Sequence, residues 1–266
     1  MASLRVERDG SVARVTITRP EVRNAFNAAL IGELHEAFDA LAREPAEALR
    51  AVVLAGEGPI FSAGADIAWQ RAALQLSLEE NEADAARLQA MLRAIDECPA
   101  PVVARVQGAA LGGGMALCAV SDVVVATADA RFGFTEAKLG ILPAVISPFV
   151  LPRIGQGHAR AVYLTAERFD AQRALRIGLV HEVVADEAAL EARVRELVVE
   201  LRTSGPTAVR RAKALIRDRR GMSPHEFAAH SVGIAARQRV SDEGQEGLAA
   251  FLDKRRASWI EPPGDD

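Results

Sequence analysis

The sequence predicts an α/β protein, and three observations carry that expectation. Apolar runs of strand length, Ala51 to Leu54, Pro101 to Val106 and Val123 to Ala126, alternate with segments of helical period. The chain opens on a hairpin pattern. Beyond Ser147-Pro148 the pattern turns mostly helical.

Leu4 to Val6 and Ala13 to Thr18 read as strands, with Asp9-Gly10 as the turn between them. Ala13, Val15 and Ile17 alternate with Arg14, Thr16 and Thr18, as in a half-buried strand. Asn27 is placed to cap a helix whose apolar face is Leu30, Ile31, Leu34, Phe38 and Leu41. A buried strand over Arg50 to Leu54 follows. Ser77-Leu78-Glu79-Glu80 is a capping box that opens a helix to about Cys98. After the Pro101 to Val106 strand come a triple glycine, a short helix through Val120 and a strand from Val123 to Ala126. Val180 to Val184 reads as a last strand. Ser204-Gly205-Pro206 breaks the chain before a helix to about Arg220. Ser223-Pro224 starts another helix, and a third runs from about Glu243 to Ala257. These tail helices carry few apolar residues, Val209, Leu215, Phe227, Ile234, Leu248 and Phe251 among them. They are expected to pack on the first part of the chain or on a neighbouring subunit. A short polar end covers Glu261 to Asp266.

Composition narrows the function classes. Half of the 266 residues are hydrophobic and 26% are charged, as in an ordinary globular protein. A net charge of −4 makes no electrostatic case for nucleic acid. No apolar run is long enough to span a bilayer, and the first residues lack a signal-peptide core. The expected setting is therefore the cytoplasm, with Cys98 and Cys118 as two buried thiols.

The chemistry points to two glycine-bearing turns, Phe61-Ser62-Ala63-Gly64-Ala65-Asp66 and Ala110-Leu111-Gly112-Gly113-Gly114, each after an apolar run. Brought together, they could aim two main-chain N–H groups at one carbonyl oxygen and form an oxyanion hole. The competing reading is two tight turns at close strand packing. Other motifs fail. There is no G-x-S-x-G elbow and no P-loop Lys. Gly155-Gln156-Gly157 has Arg160 where a dinucleotide fingerprint needs glycine. His225 and His230 are one residue too far apart to share a zinc-binding helix face, and no metal site is expected. The five histidines form no cluster, so acid–base work falls to a carboxylate, with Glu136 in Phe132-Gly133-Phe134-Thr135-Glu136 the candidate. Apolar surroundings would raise its pKa toward neutrality. The alternative is a surface Glu that starts a helix and pairs with Lys138.

Several spaced motifs together resemble the crotonase, or enoyl-CoA hydratase/isomerase, family. They are Arg19-Pro20-Glu21-Val22-Arg23-Asn24-Ala25-Phe26, the two glycine turns, Ser121-Asp122, Phe132 to Gly140, Ala174 to Val180 and Gly247 to Arg255. The resemblance implies a spiral of ββα units, with residues 1–205 as catalytic core and 206–266 as a helical region used in a trimer or dimer of trimers. It implies an acyl-CoA substrate, with coenzyme A as part of the substrate and no separate cofactor, nucleic acid or membrane. The N–H groups of Ala65 and Gly113 would form the oxyanion hole, and Glu136 would be the acid/base. Val22, Arg23 and Ala25, with Ala63, Asp66, Ile67 and Ala68, would line the CoA side of the site. Gly112, Ala116, Pro143 and Arg71 would complete the substrate surface. Phe251 and Lys254 match positions that in relatives reach CoA across a subunit boundary.

One departure stands out. Typical hydratases carry a first glutamate three residues after the Gly113 position, and here that residue is Ala116. Some hydratases lack it, and isomerases of the family work with the Glu136 position alone. Ala68-Trp69-Gln70-Arg71 and Gly140 to Pro148 resemble bacterial methylglutaconyl-CoA hydratases. The expected reaction is hydration of a 2-enoyl-CoA, with 3,2-enoyl-CoA isomerisation and a non-catalytic scaffold as alternatives. A methylglutaconyl group ends in a carboxylate, for which Arg71 is a natural partner. Arg71 as a loop surface charge, or as a contact to CoA phosphates, is the competing reading.

Overall fold

The computed structural model describes residues 3–260; the polar end, Glu261 to Asp266, lies outside the described residues. The chain begins with β1 (Leu4–Asp9) and β2 (Val12–Ile17), which pair antiparallel across the Gly10 turn, with Asp9 opposite Val12. β3 (Ala51–Gly56), β4 (Val102–Val106), β6 (Val123–Thr127) and β9 (Glu182–Val184) then add in parallel. The main sheet has the order β1-β2-β3-β4-β6-β9. A second, three-stranded sheet holds β5 (Ala109–Leu111), β7 (Arg131–Gly133) and β8 (Phe169–Asp170).

The two sheets are visited alternately. β4 leads into β5 and β6 into β7. In earlier turns of the chain the same step is made by single bridges, Phe26 with Ala65 and Ser62 with Ala110. Each turn thus lays one long strand in the main sheet and one short segment in the second layer. This is the expected spiral.

The strand sequences explain the layering. β3 is buried throughout, which is why it reads as one unbroken apolar run rather than an alternation. Val52 and Leu54 face the larger core, and Ala51 and Val53 face a smaller one. The larger core is closed by α1 (Ala28–Ala42), α3 (Leu78–Glu97) and α4 (Gly113–Val120). Asn27 caps α1 by accepting from the Leu30 N–H at 2.9 Å, and the expected face is buried from Leu30 to Leu41. Each such side chain contributes about 1.5–3 kcal/mol on burial. The Ser77–Glu80 capping box opens α3 as expected. Leu190 and Val194 of α7 (Glu187–Thr203) cover the smaller core. On that face Arg14 and Arg105 both donate to Glu191. With the Arg14 hydrogen bond first, they outweigh partial burial and pull its carboxyl down to about 2.

Cys98 and Cys118 are both buried and unpaired, and burial pushes the Cys118 thiol up to about 12. Gly155 lies within α5 (Ser147–Thr165), where its positive φ kinks the helix; α6 (Ala171–Arg176) follows after β8. No helix among the described residues is long and apolar enough to cross a membrane.

α8 (Pro206–Asp218), α9 (Pro224–Arg239) and α10 (Asp242–Leu252) form the tail. The Glu243 carboxylate accepts from the Thr207 and Ala208 N–H groups at 2.7 Å each and so closes the open end of α8. Lys213 ties α8 to Asp122 at 2.6 Å, and Arg210 donates to the carbonyls of Glu44, Pro45 and Leu49. The last helix stops at Leu252, not at the expected Ala257. Lys254 takes a left-handed φ of 54°, and the Arg255 N–H turns back to the Ala250 carbonyl at 3.0 Å. That is a helix stop without its usual glycine, invisible to a composition rule that looks for one. Of the residues in these three helices, only Pro206 and Ala250 are buried within the chain.

Candidate active site

The two glycine turns touch. The Ser62 N–H donates to the Ala109 carbonyl at 3.1 Å, and the Leu111 N–H returns to the Ser62 carbonyl at 3.0 Å. Gly64 has φ +87°, and a Cβ there would lie 2.6 Å from the Leu111 carbonyl oxygen and 3.0 Å from the Gly113 nitrogen. No other residue fits. On the other side, the Phe26 N–H donates to the Gly64 carbonyl at 2.6 Å, and the Asp66 N–H to the Phe26 carbonyl at 2.8 Å. The Phe26 ring fills the space beneath Gly113, where a Cβ would stand 2.6 Å from its Cε2.

This bonding consumes most main-chain donors of the turns. Gly112 donates to the Gly133 carbonyl and Gly64 to Ser62 Oγ. Among the described residues the Ala65, Gly113 and Gly114 N–H groups have no protein acceptor, and Ala65 and Gly113 are the pair that spans both turns. Gly113 is the first residue of α4, so its N–H belongs to the open, partly positive end of a helix. Two unspent donors on adjoining turns can stabilise an enolate oxygen.

Glu136 stands against the same turns. It opens a short 3-10 turn, Glu136–Leu139, directly after the buried Phe132 and Phe134. A Cβ on Gly112 would lie 3.3 Å from its Oε1. Its Oε2 is buried without a partner, and burial raises its pKa. The surface alternative does not hold, because Glu136 is half-buried and makes no ion pair with Lys138 among the described residues. Ala116 is wholly buried on α4.

The loop before α1 is bound to the first turn. Arg23 and Asn24 both have positive φ, held because the Asn24 side chain donates to the carbonyls of Glu57 and Ile60 at 2.9 and 2.7 Å. The Arg23 carbonyl accepts from the Ala63 N–H at 2.9 Å. Arg19 donates to the Ala25 carbonyl and to Asp66 Oδ2 at 2.9 Å. Burial alone would raise the Asp66 pKa, but the Ala68 N–H and Arg19 overcome it and hold the carboxyl down. Asp66 thereby caps α2 (Ile67–Ala73). Val22 is half-buried, while Arg23, Ile67 and Ala68 are exposed.

A cavity of about 690 Å³ opens beside Ala65, between α2, α3 and the loop through Ile141 and Val145. Arg71 lines it and makes no hydrogen bond or ion pair through its side chain among the described residues. Pro143, on that loop, is buried. The structure does not bring Phe251 and Lys254 here within one chain. Both stand exposed at the end of α10, which packs on α8 and α9. His230, from the rejected zinc pattern, lies 3.0 Å from Asp218, and no group of three or more metal-ligating side chains occurs among the described residues.

Asp84 was missed. It lines the cavity and is buried, with Arg87 at 2.6 Å. Its signal was available: Asp84, Leu88, Met91, Leu92 and Ile95 follow one helical stripe, and a carboxylate inside an apolar stripe is an anomaly. Trp69 also lines the cavity and packs partly against the core.

Comparison with known proteins bears on the family and the fold. The family described as enoyl-CoA hydratase/isomerase matches residues 7–262. A crotonyl-CoA hydratase of Syntrophomonas wolfei is 35% identical, over 96% of this chain and 96% of its own. A 2,3-dehydroadipyl-CoA hydratase of Escherichia coli is 32% identical, over 96% of this chain and 97% of its own. The solved structure of Pseudomonas aeruginosa AtuE matches with a TM-score of 0.93 and 39% identity, covering 97% of this chain and 100% of that one.

Proposed function

This chain belongs to the enoyl-CoA hydratase/isomerase family, and we propose that within it the protein adds water reversibly to a 2-enoyl-CoA. The observation that carries the proposal is the pair of unspent N–H groups, Ala65 and Gly113, on touching turns beside the orphaned carboxyl oxygen of Glu136. The thioester oxygen sits between the two donors. Water bonds through its oxygen to C3 and gives one proton to the Glu136 carboxylate. The C2=C3 electron pair moves onto the thioester oxygen as an enolate, which collapses as C2 takes that proton from Glu136. Water is added, Glu136 is regenerated, and no electron is gained or lost, so the reaction calls for no redox cofactor. Val22, Arg23, Ala25, Ala63 and Asp66 frame the approach of CoA.

Isomerisation is the second reading. It is favoured by Ala116, which leaves Glu136 without a partner carboxylate on α4. Within the hydratase reading, the acyl group ends in a carboxylate, as in 3-methylglutaconyl-CoA, because Arg71 lines the cavity with no ion pair of its own. Two relatives bracket that choice by name, crotonyl-CoA without a second carboxylate and 2,3-dehydroadipyl-CoA with one. One panel tests these readings: crotonyl-CoA, a 3-enoyl-CoA and 3-methylglutaconyl-CoA. Hydration of the first and third supports the proposal. Double-bond migration alone transfers it to isomerisation, and silence on all three leaves a scaffold.

The unit is an assembly, with residues 1–205 as catalytic core and 206–266 as the region that packs between subunits. Ile216, Val232, Val240 and Phe251 are each at least 70% exposed in the single chain, more apolar surface than a lone tail sheds to water without cost. Light scattering should give a trimer or hexamer; a stable active monomer refutes the assembly.

A further inference from the structure

Tyr163 is the chain's only tyrosine, and the fold packs it on the segment that carries Glu136, close enough for the Glu136 charge to act on its phenol. Its ring meets Phe134 edge-on, centroids 4.7 Å apart at 62°, two residues before Glu136. Its hydroxyl lies 3.3 Å from Ser147 Oγ. Ser147 has one proton to give, and the Pro143 carbonyl takes it at 2.6 Å. The longer contact therefore runs from the Tyr163 O–H to Ser147 Oγ. This ordered chain leaves the lone pairs of the Tyr163 oxygen as acceptors. The phenol keeps its proton, since burial raises its pKa against the opposing Ser147 contact, and the charge of Glu136 adds to the rise. Nearby, Glu136 Oε2 is a buried acceptor without a protein partner, and such an atom needs a hydrogen bond from somewhere.

We propose that Tyr163, held by Ser147, positions the water that adds to the enoyl group, doing from α5 what no side chain at Ala116 can do from α4. The inference rests on the hydration reading. One water proton points to Glu136, which takes it. The other points to the Tyr163 oxygen, which only accepts a hydrogen bond. With both protons directed, the water lone pair faces C3. Tyr163 itself gains and loses no proton and is a positioning residue.

The test uses Tyr163→Phe, which keeps the ring on Phe134 and removes the oxygen, and compares two reactions of one site. Hydration of the best 2-enoyl-CoA needs the positioned water. Exchange of the C2 proton of the saturated acyl-CoA with deuterium oxide needs only the N–H pair and Glu136. The expected result is a loss of about 10- to 100-fold in hydration kcat, KM within about twofold, and exchange largely retained. Ser147→Ala should give a smaller loss of the same selectivity, and it carries the test alone if Tyr163→Phe fails to fold. Unchanged hydration, or equal losses in both reactions, overturns the inference while leaving the hydratase reading standing. A wild-type enzyme that exchanges but hydrates no enoyl-CoA overturns both.

Discussion

The two glycine turns, of which the first reaches the cavity through Ala65, and the α2–α3 wall of that cavity are built on opposite principles. In the turns, position is set by backbone against backbone. Gly64 admits no Cβ, Gly113 rests on the Phe26 ring, and nearly every N–H and carbonyl is committed. In the wall, α3 is anchored in the core, but α2, which carries Arg71, is held only loosely. Ile67 is 85% exposed and Leu74 79%, and α2 buries no residue at all. The difference teaches that the pair of N–H groups is fixed by the fold, whereas the α2 side of the cavity is a surface that can change without disturbing it.

The sharpest break in that comparison is Glu136→Gln, which should leave both regions in place and remove the proton carrier. Turnover should fall by about 10²- to 10⁴-fold with acyl-CoA binding nearly unchanged. The same variant should be more stable than wild type near neutral pH. The raised folded-state pKa means that the contribution of Glu136 to stability is complete only below the unfolded value and is lost as pH rises through the folded one. Melting curves should therefore show Glu136→Gln ahead at pH 7–8, with the lead vanishing by about pH 4. Near-wild-type turnover, or a lead that grows on acidification, contradicts the assignment.

Gly64→Ala tests the rigid region next. The left-handed angle alone costs about 1–2 kcal/mol, and displacing the Leu111 carbonyl costs more. Urea unfolding should register the loss, and turnover should drop although Glu136 is untouched. If the variant is as stable and active as wild type, the turns are not locked as described.

Arg71→Met probes the soft wall and should have the smallest effect. Stability should stay within about 0.5 kcal/mol, as for an exposed residue without partners. Hydration of 3-methylglutaconyl-CoA should fall roughly tenfold relative to crotonyl-CoA, for the loss of a charge-assisted contact of about 1.5 kcal/mol. Equal losses on both substrates would move Arg71 to the CoA phosphates, and no loss on either would return it to solvent. Asp84 on the same cavity sharpens the test, because its charge opposes a second carboxylate wherever Arg87 does not neutralise it.

Much of this molecule was legible before folding, because its signals are local. The apolar run of β3, the Asn27 cap, the Ser77 box and the hairpin at Gly10 each depend on residues a few positions apart. Both glycine turns and Glu136 stood out for the same reason, and the ordered motifs carried the family. The second sheet was not legible, since β5, β7 and β8 span two or three residues each and show no periodicity at that length. Nor was α2, a seven-residue helix that buries no residue and so shows no apolar stripe.

The sequence by itself determined where strands and helices could start and which carboxylate sat among apolar neighbours. Only the tertiary structure decided that Gly64 and Gly113 meet, that the Ala65 and Gly113 N–H groups are left without acceptors, and that Tyr163 reaches Ser147 across sixteen residues of α5. The physical reason is range. Caps, turns and periodicity are decided by neighbours in the chain, but an unspent donor or an orphaned oxygen is defined by everything else that failed to pair with it.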